Sequence, residues 1–229
     1  MGMAISRRPD EPTFTVTRGL IAAALALLGF AVLVEDWPNR SRAFMQRHPA
    51  DDFAFHVAAM LVASLIADLL WMLWRFLRWR TGSRRDLLVH HFLAMPAFAY
   101  AFAHRVGFAL IAIAATTELL TACSGVINAG TLTARPALQV WGRRGAYAVL
   151  VVWRIPFWLA LAVVSLRILI DPVARAGLAV EYAILFATTL LLLALDVYWV
   201  VELNGEQRDA ERGVRESAAL TFRANEESR

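Results

Sequence analysis

Two adjacent histidines, His90 and His91, lie in the stretch RRDLLVHHFLAMP, which is apolar after its charged start. An ionisable side chain inside a membrane segment costs on the order of 2.5–3.5 kcal/mol, so such residues are functional candidates by default. A buried imidazole stays neutral and can act as a base or a nucleophile. Asp86 precedes His90 by one helical turn, so its carboxylate can accept a hydrogen bond from that ring and fix the tautomer.

The spacing of this pair limits the chemistry that it can support. Adjacent side chains on a helix point about 100° apart, so the two rings can border one cavity but cannot face each other as haem ligands. The same geometry disfavours a metal site, although other intramembrane carboxylates could supply ligands. The single cysteine, Cys123, excludes an internal disulfide and a thiolate cluster. We therefore predict no bound metal and no permanent cofactor, while proton translocation stays an alternative.

The elements that position the histidines are predicted to be membrane-spanning helices. Hydrophobic residues make up 59% of the 229 residues, which is typical of a membrane protein. A spanning helix needs about 20 mostly apolar residues, and six segments qualify: 18–34, 53–75, 86–103, 106–128, 146–169 and 179–203. The first segment ends in Glu35 and Asp36 without a small-residue cleavage site, so we interpret it as an uncleaved anchor.

Arginine placement predicts the orientation of the six spans. All 23 basic residues are arginine, a bias that, with the abundance of Ala, Leu and Val, suggests a GC-rich bacterial genome. The arginines concentrate in the N-terminal segment (1–17) and at the adjoining Arg18, in the loops after spans 2 and 4, and in the charged tail (205–229). By the positive-inside rule both termini of the membrane domain (18–204) are cytoplasmic, in a bacterial inner membrane. The net charge of +4 then reflects these arginines rather than nucleic-acid binding. We expect the tail to be a solvated helix followed by disorder.

Six ionisable residues within the spans share one predicted depth. Counting 1.5 Å per residue from the cytoplasmic ends places them about 6–14 Å deep, so five helices deliver polar groups to one layer. A polar chamber would require such a layer, whereas ion pairs that only hold the bundle together are the structural alternative. Arg154 is predicted to pair with Glu118 or Asp196. The six residues are Asp68, His90, His91, Glu118, Arg154 and Asp196. Histidines near the opposite ends are expected to be interfacial: His48, His56 and His104.

The order of these residues resembles the TLC-domain family, which includes the eukaryotic ceramide synthases. The resemblance covers roughly residues 15–205 and depends on order and spacing rather than on one specific motif. An Asp and an apolar turn precede the histidine pair; RVG and a span with an acidic residue and a trailing Asn follow. The segments VVWRIPFW and LLLALDVYWVVEL resemble the family's Arg-before-Pro helix and last span. The matching positions are Asp86, His90, His91, Arg105, Gly107, Glu118, Asn128, Arg154, Pro156, Asp196, Tyr198 and Trp199.

This resemblance implies a six-helix barrel around a chamber open to the cytoplasm, and a lipid acyltransferase that uses acyl-CoA as substrate. The six intramembrane residues would then be catalytic, with a histidine as nucleophile or base and Arg154 stabilising the oxyanion. Loop arginines would hold the nucleotide, and membrane lipids would be the acceptors. The substrate-binding set is Asp86, Asn128, Tyr198, Trp199, Arg84, Arg85, Arg143 and Arg144, with Arg78 and Arg80 as further nucleotide contacts.

One departure from the family opens a second interpretation. Ceramide synthases carry a His-Asp pair one turn before the acidic residue of this span, where the chain has Ala114 and Ala115. The alternative function is therefore a non-catalytic protein that binds lipid or adjusts membrane composition with the same barrel. The fatty-acid elongase motif His-x-x-His-His is broken by Leu87. The acyl acceptor, the acyl length and the oligomeric state stay open.

Overall fold

The computed structural model describes residues 10–36, 53–79, 85–172, 177 and 179–227. Within them all regular structure is helical, and six helical stretches are long and apolar enough to cross a membrane. These spans are Thr13–Glu35, Phe53–Arg78, Leu87–His104, Phe108–Leu132, Pro136–Ile170 and Ala179–Gly205. The predicted all-α integral membrane fold is confirmed, with span ends within a few residues of those predicted except at the start of the fifth span.

The helices themselves extend beyond these apolar stretches. The first three are Asp10–Asp36, Phe53–Trp79 and Arg85–His104. The last helix runs without interruption over Ala179–Glu227, so the predicted helical tail continues directly from the sixth span. The fourth span consists of Phe108–Ala114, a 3-10 turn at Ala115–Glu118 and Leu119–Leu132; the fifth consists of Pro136–Ala148, a π-helical turn at Val149–Arg154 and Ile155–Ile170.

The fourth span lies at the centre of the bundle. It packs against the first, second, third and fifth spans, while the sixth packs on the third and fifth. Every residue from Phe108 to Glu118 is buried, so side chains fill the middle of the bundle at that level. The expected barrel around one open chamber differs from this arrangement, because the first half of the fourth span occupies the centre.

Close packing of the first span on the fourth depends on two glycines. A Cβ added to Gly19 would lie 2.7 Å from the Cα of Gly125, a separation that no side chain tolerates. With hydrogen atoms at both positions the two backbones approach closely, which is how membrane helices gain van der Waals contact in the absence of a hydrophobic driving force. The contact holds Arg18, the neighbour of Gly19, against the interior.

A Gly19→Ala substitution tests this contact. We expect it to destabilise the protein by about 1–3 kcal/mol, because overpacking must push the two helices apart. Gly205→Ala is the matched control, since nothing lies within 4 Å of its added Cβ. Unfolding by SDS in detergent micelles, followed by far-UV circular dichroism, measures both. Equal stability of the two variants would contradict the close contact.

Two irregular helical turns determine which side chains face the interior. Pro156 lacks an N–H and its ring crowds the carbonyl four residues earlier, so the preceding turn widens into the π-helix Val149–Arg154. In the fourth span, the Thr116 and Thr117 hydroxyls donate to carbonyls of their own helix three residues back, at 2.7 Å each. These turns shift the phase of each helix and bring Arg154 into the core.

Candidate functional site

His91 is held in one orientation and almost completely buried, with 1% of its surface exposed. Its Nδ1 lies 2.8 Å from the Leu87 carbonyl oxygen, one turn earlier in the same helix. A carbonyl oxygen only accepts hydrogen bonds, so Nδ1 carries a hydrogen, and the neutral tautomer that fits this contact has its lone pair on Nε2. That Nε2 faces Asp68 Oδ2 at 3.6 Å, too far for a hydrogen bond.

Asp68 also receives a cation from the first span. Arg18 Nε forms an ion pair with Asp68 Oδ2, the same oxygen that His91 faces. The Arg18 and Asp68 side chains are only 19% and 13% exposed, so the guanidinium compensates a carboxylate that has lost most of its contact with solvent. Arg18, Asp68 and His91 thus join the first three spans at one level.

A second, more completely buried ion pair lies between the fifth and sixth spans. Arg154 Nε donates to Asp196 Oδ2 at 2.9 Å, and Trp158 Nε1 donates to the same oxygen at 3.0 Å. Arg154 Nη1 also donates to the Thr117 carbonyl oxygen at 3.2 Å, which ties the pair to the fourth span. Asp196 is fully buried and Arg154 is 2% exposed. The predicted pairing of Arg154 with an intramembrane carboxylate is confirmed for Asp196.

Aromatic contacts connect the two ion pairs. The His90 and His91 rings lie 5.5 Å apart with planes at 81°, and His90 lies 5.6 Å from the Trp199 ring. Arg154 Cζ lies 5.4 Å from the centroid of the same Trp199 ring, in cation–π range. A continuous series of contacts therefore runs from Asp68 through the histidines to Asp196. We call the set Arg18, Asp68, His90, His91, Arg154, Asp196 and Trp199 the polar cluster.

Four buried polar atoms of the polar cluster have no hydrogen-bond partner within the part of the chain that the structure describes. They are His90 Nδ1, His91 Nε2, Arg154 Nη2 and Asp196 Oδ1. Buried polar atoms are paired in the great majority of folded proteins, so each exception calls for an explanation. Donors and acceptors lie unpaired within one cluster, which is the arrangement that a polar ligand or a reacting group would complete. No three His, Cys, Asp or Glu side chains of the described residues are arranged to hold a metal ion.

Some predicted site residues lie apart from the polar cluster. Tyr198 is 53% exposed and lies outside the polar cluster, so its predicted substrate contact stays a prediction. The Asn128 side chain donates to the Ser124 carbonyl oxygen of its own helix at 2.8 Å. Glu118 is buried, yet its carboxylate forms neither a hydrogen bond nor an ion pair among the described residues.

The loop residues predicted to bind substrate fall into two groups. Arg84 and Arg80 lie outside the described residues, as do the side chains of Arg85 and Asp86, whose backbone forms the first turn of the third helix. Arg78 and Arg144 are exposed and Arg143 is half-buried. Each lies about ten residues before or after a polar-cluster residue of its own helix, or about 15 Å along the axis.

The sequence did not predict two residues that bind the carboxylates of the polar cluster. Arg18 was counted with the cytoplasmic arginines, although the apolar stretch begins at Thr13 and places Arg18 inside the span. Trp158 was not singled out, although an indole N–H within a membrane needs an acceptor, and it lies one turn after Arg154. Both residues could have been predicted from the requirement that a polar group inside the membrane has a partner: Asp68 needs a cation, and the Trp158 indole needs an acceptor.

A cavity of about 90 Å³ lies on the other side of Trp158, between the third, fourth, fifth and sixth spans. Its walls are mainly apolar, with Ala114, Trp158 and Leu192 at the end nearest the polar cluster. Tyr100 and Glu181 lie at the opposite end. The cavity is lined by none of the six predicted catalytic residues. The prediction that all six line one elongated chamber therefore does not describe this cavity, because Trp158 separates it from the ion pair.

No family model, no curated protein and no solved structure matches this chain.

Proposed function

We propose that this protein transfers an acyl group from acyl-CoA to a membrane lipid at the polar cluster. The observation that carries the proposal is the state of His91: Nδ1 is bound to the Leu87 carbonyl, and Nε2 is buried without a hydrogen-bond partner among the described residues. A structural histidine would use both nitrogens, whereas a base or a nucleophile needs one fixed and one free.

In the proposed reaction the acceptor is an amine or hydroxyl of a lipid. His91 Nε2 takes the proton of the acceptor as the acceptor nitrogen or oxygen attacks the thioester carbonyl carbon. The carbon–sulfur bond then breaks, the coenzyme A thiolate leaves with the electron pair, and the imidazolium returns the proton to it. Alternatively, Nε2 itself attacks the thioester carbonyl carbon and the coenzyme A thiolate leaves, which forms an acyl-imidazole. The acceptor then attacks the acyl-imidazole, His91 is restored, and the proton of the acceptor passes to the thiolate, so the products are the same.

Neighbouring groups of the polar cluster support the charges of this reaction. Arg154 Nη2 is a cationic donor without a partner among the described residues, and it would stabilise the oxyanion that forms on the thioester carbonyl. Asp68 would stabilise the imidazolium of His91, which it faces at 3.6 Å. The low dielectric of the interior strengthens both effects.

The coenzyme A nucleotide would bind at the surface nearest the histidines. Arg78, Arg143 and Arg144 lie toward that surface and supply cations for its phosphates. We propose that this surface faces the cytoplasm of a bacterial inner membrane, where acyl-CoA is present, since the arginine-rich segments belong to it. His91, Arg154 and Asp196 are buried, so substrate access to them requires the helices to separate there.

The purified protein in lipid nanodiscs provides the test. We expect labelled acyl-CoA, offered with lipid amines and lysolipids, to give one acylated lipid and one free thiol per turnover. Mass spectrometry identifies the lipid, and a thiol reagent measures the coenzyme A released. A broad acceptor panel that yields no product and no thiol would overturn the proposal.

A second function is favoured by Ala114 and Ala115. Where ceramide synthases carry His and Asp, this chain has a cavity wall at Ala114 and a fully buried Ala115. A protein that binds lipid without chemistry would have such apolar walls. Intact phospholipid that copurifies with a protein inactive on every acceptor would support this function over acyl transfer.

A further inference from the structure

We infer that the cavity beyond Trp158 binds one chain of a zwitterionic phospholipid with a primary-amine headgroup. The headgroup would lie at the end of the helices opposite the histidines. This lipid is a ligand distinct from the acyl donor and acceptor of the proposed reaction, and the inference holds whether or not that reaction occurs.

The walls of the cavity suit a hydrocarbon chain. Phe98, Leu110, Ile111, Leu161 and Leu185 line it from four different spans. Along the sixth span the lining runs from Glu181 to Leu192, or about 16 Å at 1.5 Å per residue. Its volume of about 90 Å³ is too small to enclose a whole tail, but the cavity is partly open, so a tail can lie along it with one side against these walls and the other toward the membrane.

The charges at the rim match a zwitterionic headgroup. Glu181 Oε1 accepts a hydrogen bond from the Tyr100 hydroxyl at 3.1 Å, which holds a carboxylate at the end of the cavity. Arg105, which is exposed, directly precedes the lining residues Val106 and Gly107. The carboxylate would bind the ammonium group of the lipid, and the guanidinium would bind its phosphate.

A tight turn holds Arg105 at this rim. Its backbone adopts a left-handed conformation with φ of 53°, and the next amide, Val106 N–H, donates to the Ala101 carbonyl oxygen at 3.0 Å. A non-glycine residue in that region is uncommon, so the surrounding turn must fix it. The turn therefore fixes the Arg105 backbone beside the cavity lining, and we infer that its exposed side chain reaches a phosphate at the rim.

The headgroup would be too far from the histidines to react. Tyr100 follows His90 by ten residues of helix, or about 15 Å. The tail, however, would end against Trp158, whose ring lines the cavity and whose Nε1 donates to Asp196. Occupancy of the cavity would thus press on a group that orients the Arg154–Asp196 ion pair.

Native mass spectrometry of the detergent-solubilised protein tests the inference with three phospholipids of identical chains. Phosphatidylethanolamine carries the primary amine, phosphatidylcholine a quaternary ammonium, and phosphatidylglycerol no cation. We expect one phosphatidylethanolamine to be retained about tenfold over phosphatidylglycerol, as a hydrogen bond to a charged group allows. Phosphatidylcholine should rank between them, because it has the charge without the N–H donors.

Two variants locate the binding. Glu181→Gln should remove the tenfold preference, whereas Glu35→Gln, which alters an exposed carboxylate on the first span, should keep it. Ala97→Phe fills the cavity and should abolish retention of all three lipids, whereas Ala24→Phe adds the same ring on an exposed face and should not. Melting of each variant in detergent verifies folding.

Three outcomes would overturn the inference. A preference for phosphatidylethanolamine that Glu181→Gln leaves unchanged would mean that the rim does not bind the headgroup selectively. Retention unchanged by Ala97→Phe would place the lipid on the outer surface. Displacement of the lipid by a non-hydrolysable acyl-CoA thioether would assign the cavity to the acyl donor instead. The last outcome does not contradict the proposed acyl transfer, so failure of the phospholipid site can be distinguished from failure of the proposed function.

Discussion

We expect His91→Ala to lower the rate of acyl transfer by about 100- to 10,000-fold, the range that a positioned general base contributes. The reason is the free lone pair on Nε2, the one imidazole nitrogen that the Leu87 carbonyl does not occupy. If His91 is instead the covalent nucleophile, the loss should be complete. The measurement is the initial rate of coenzyme A release in nanodiscs, with each variant normalised to folded protein.

A graded series separates chemistry from packing. His91→Asn keeps a donor where Nδ1 bonds to Leu87 but removes Nε2, so it should be as inactive as His91→Ala and more stable. His56→Ala removes an exposed imidazole near the far end of the second span and should retain full activity. Truncation at a packing residue alone would cost about 1–3 kcal/mol of stability and little rate. Activity retained in His91→Asn would make the histidine structural.

His90→Ala is predicted to abolish acyl transfer as well, by a different route. His90 lies between His91 and the Trp199 ring, and its buried Nδ1 has no partner among the described residues. It is therefore placed to bind the thioester or the acceptor rather than to hold the helix. We expect unchanged melting in detergent together with loss of product. An active His90→Ala enzyme would restrict the chemistry to His91.

The depth of each polar residue could be predicted from the sequence, because depth requires only counting. The apolar length of a span fixes its ends within a few residues, and 1.5 Å per residue then places each charge. This is why Asp68, His91, Arg154 and Asp196 come together in the structure as expected. The same count failed for Arg18, because the predicted first span begins at residue 18 whereas the apolar stretch begins five residues earlier, at Thr13.

The direction in which each residue points could not be predicted in the same way. Tyr198 and Trp199 share a depth but differ by about 100° around the helix, so one faces outward and the other contacts Arg154. The π-helical turn adds a residue before Arg154, and the 3-10 turn tightens the helix before Glu118. Each irregular turn changes the direction in which all later side chains of that span point. A prediction that assumes a regular helical period therefore places these side chains on the wrong face.

The predicted chamber illustrates a different limit. A shared depth of polar residues is consistent with an open chamber and with a packed, ion-paired layer, because both place charges at one level. The structure has the packed layer at the polar cluster and an apolar cavity beyond Trp158. The volume of a chamber depends on how side chains pack across the bundle, which residue depth does not determine. In this protein the buried residues from Phe108 to Glu118 fill the centre.

Arg154→Met is expected to destabilise the protein by about 3–5 kcal/mol, as happens when one partner of a buried ion pair is removed. Asp196 would then be a fully buried carboxylate with only the Trp158 indole as donor among its described contacts. The protein can relieve this by protonating Asp196 or by admitting water, and either route costs part of the folding free energy. SDS titration in micelles, followed by far-UV circular dichroism, gives the change in the free energy of unfolding.

Stability and activity should separate in the double variant Arg154→Met with Asp196→Leu. Replacing both charges with apolar groups of similar size leaves no unpaired ion, so stability should return to within about 1–2 kcal/mol of the wild-type value. Acyl transfer should stay absent, because the guanidinium proposed to stabilise the oxyanion is gone. Arg167→Met, on the same helix but exposed, is the control and should change stability by less than about 0.5 kcal/mol. If the double variant regains activity along with stability, Arg154 serves only to neutralise Asp196, and the oxyanion must be stabilised by another donor of the polar cluster.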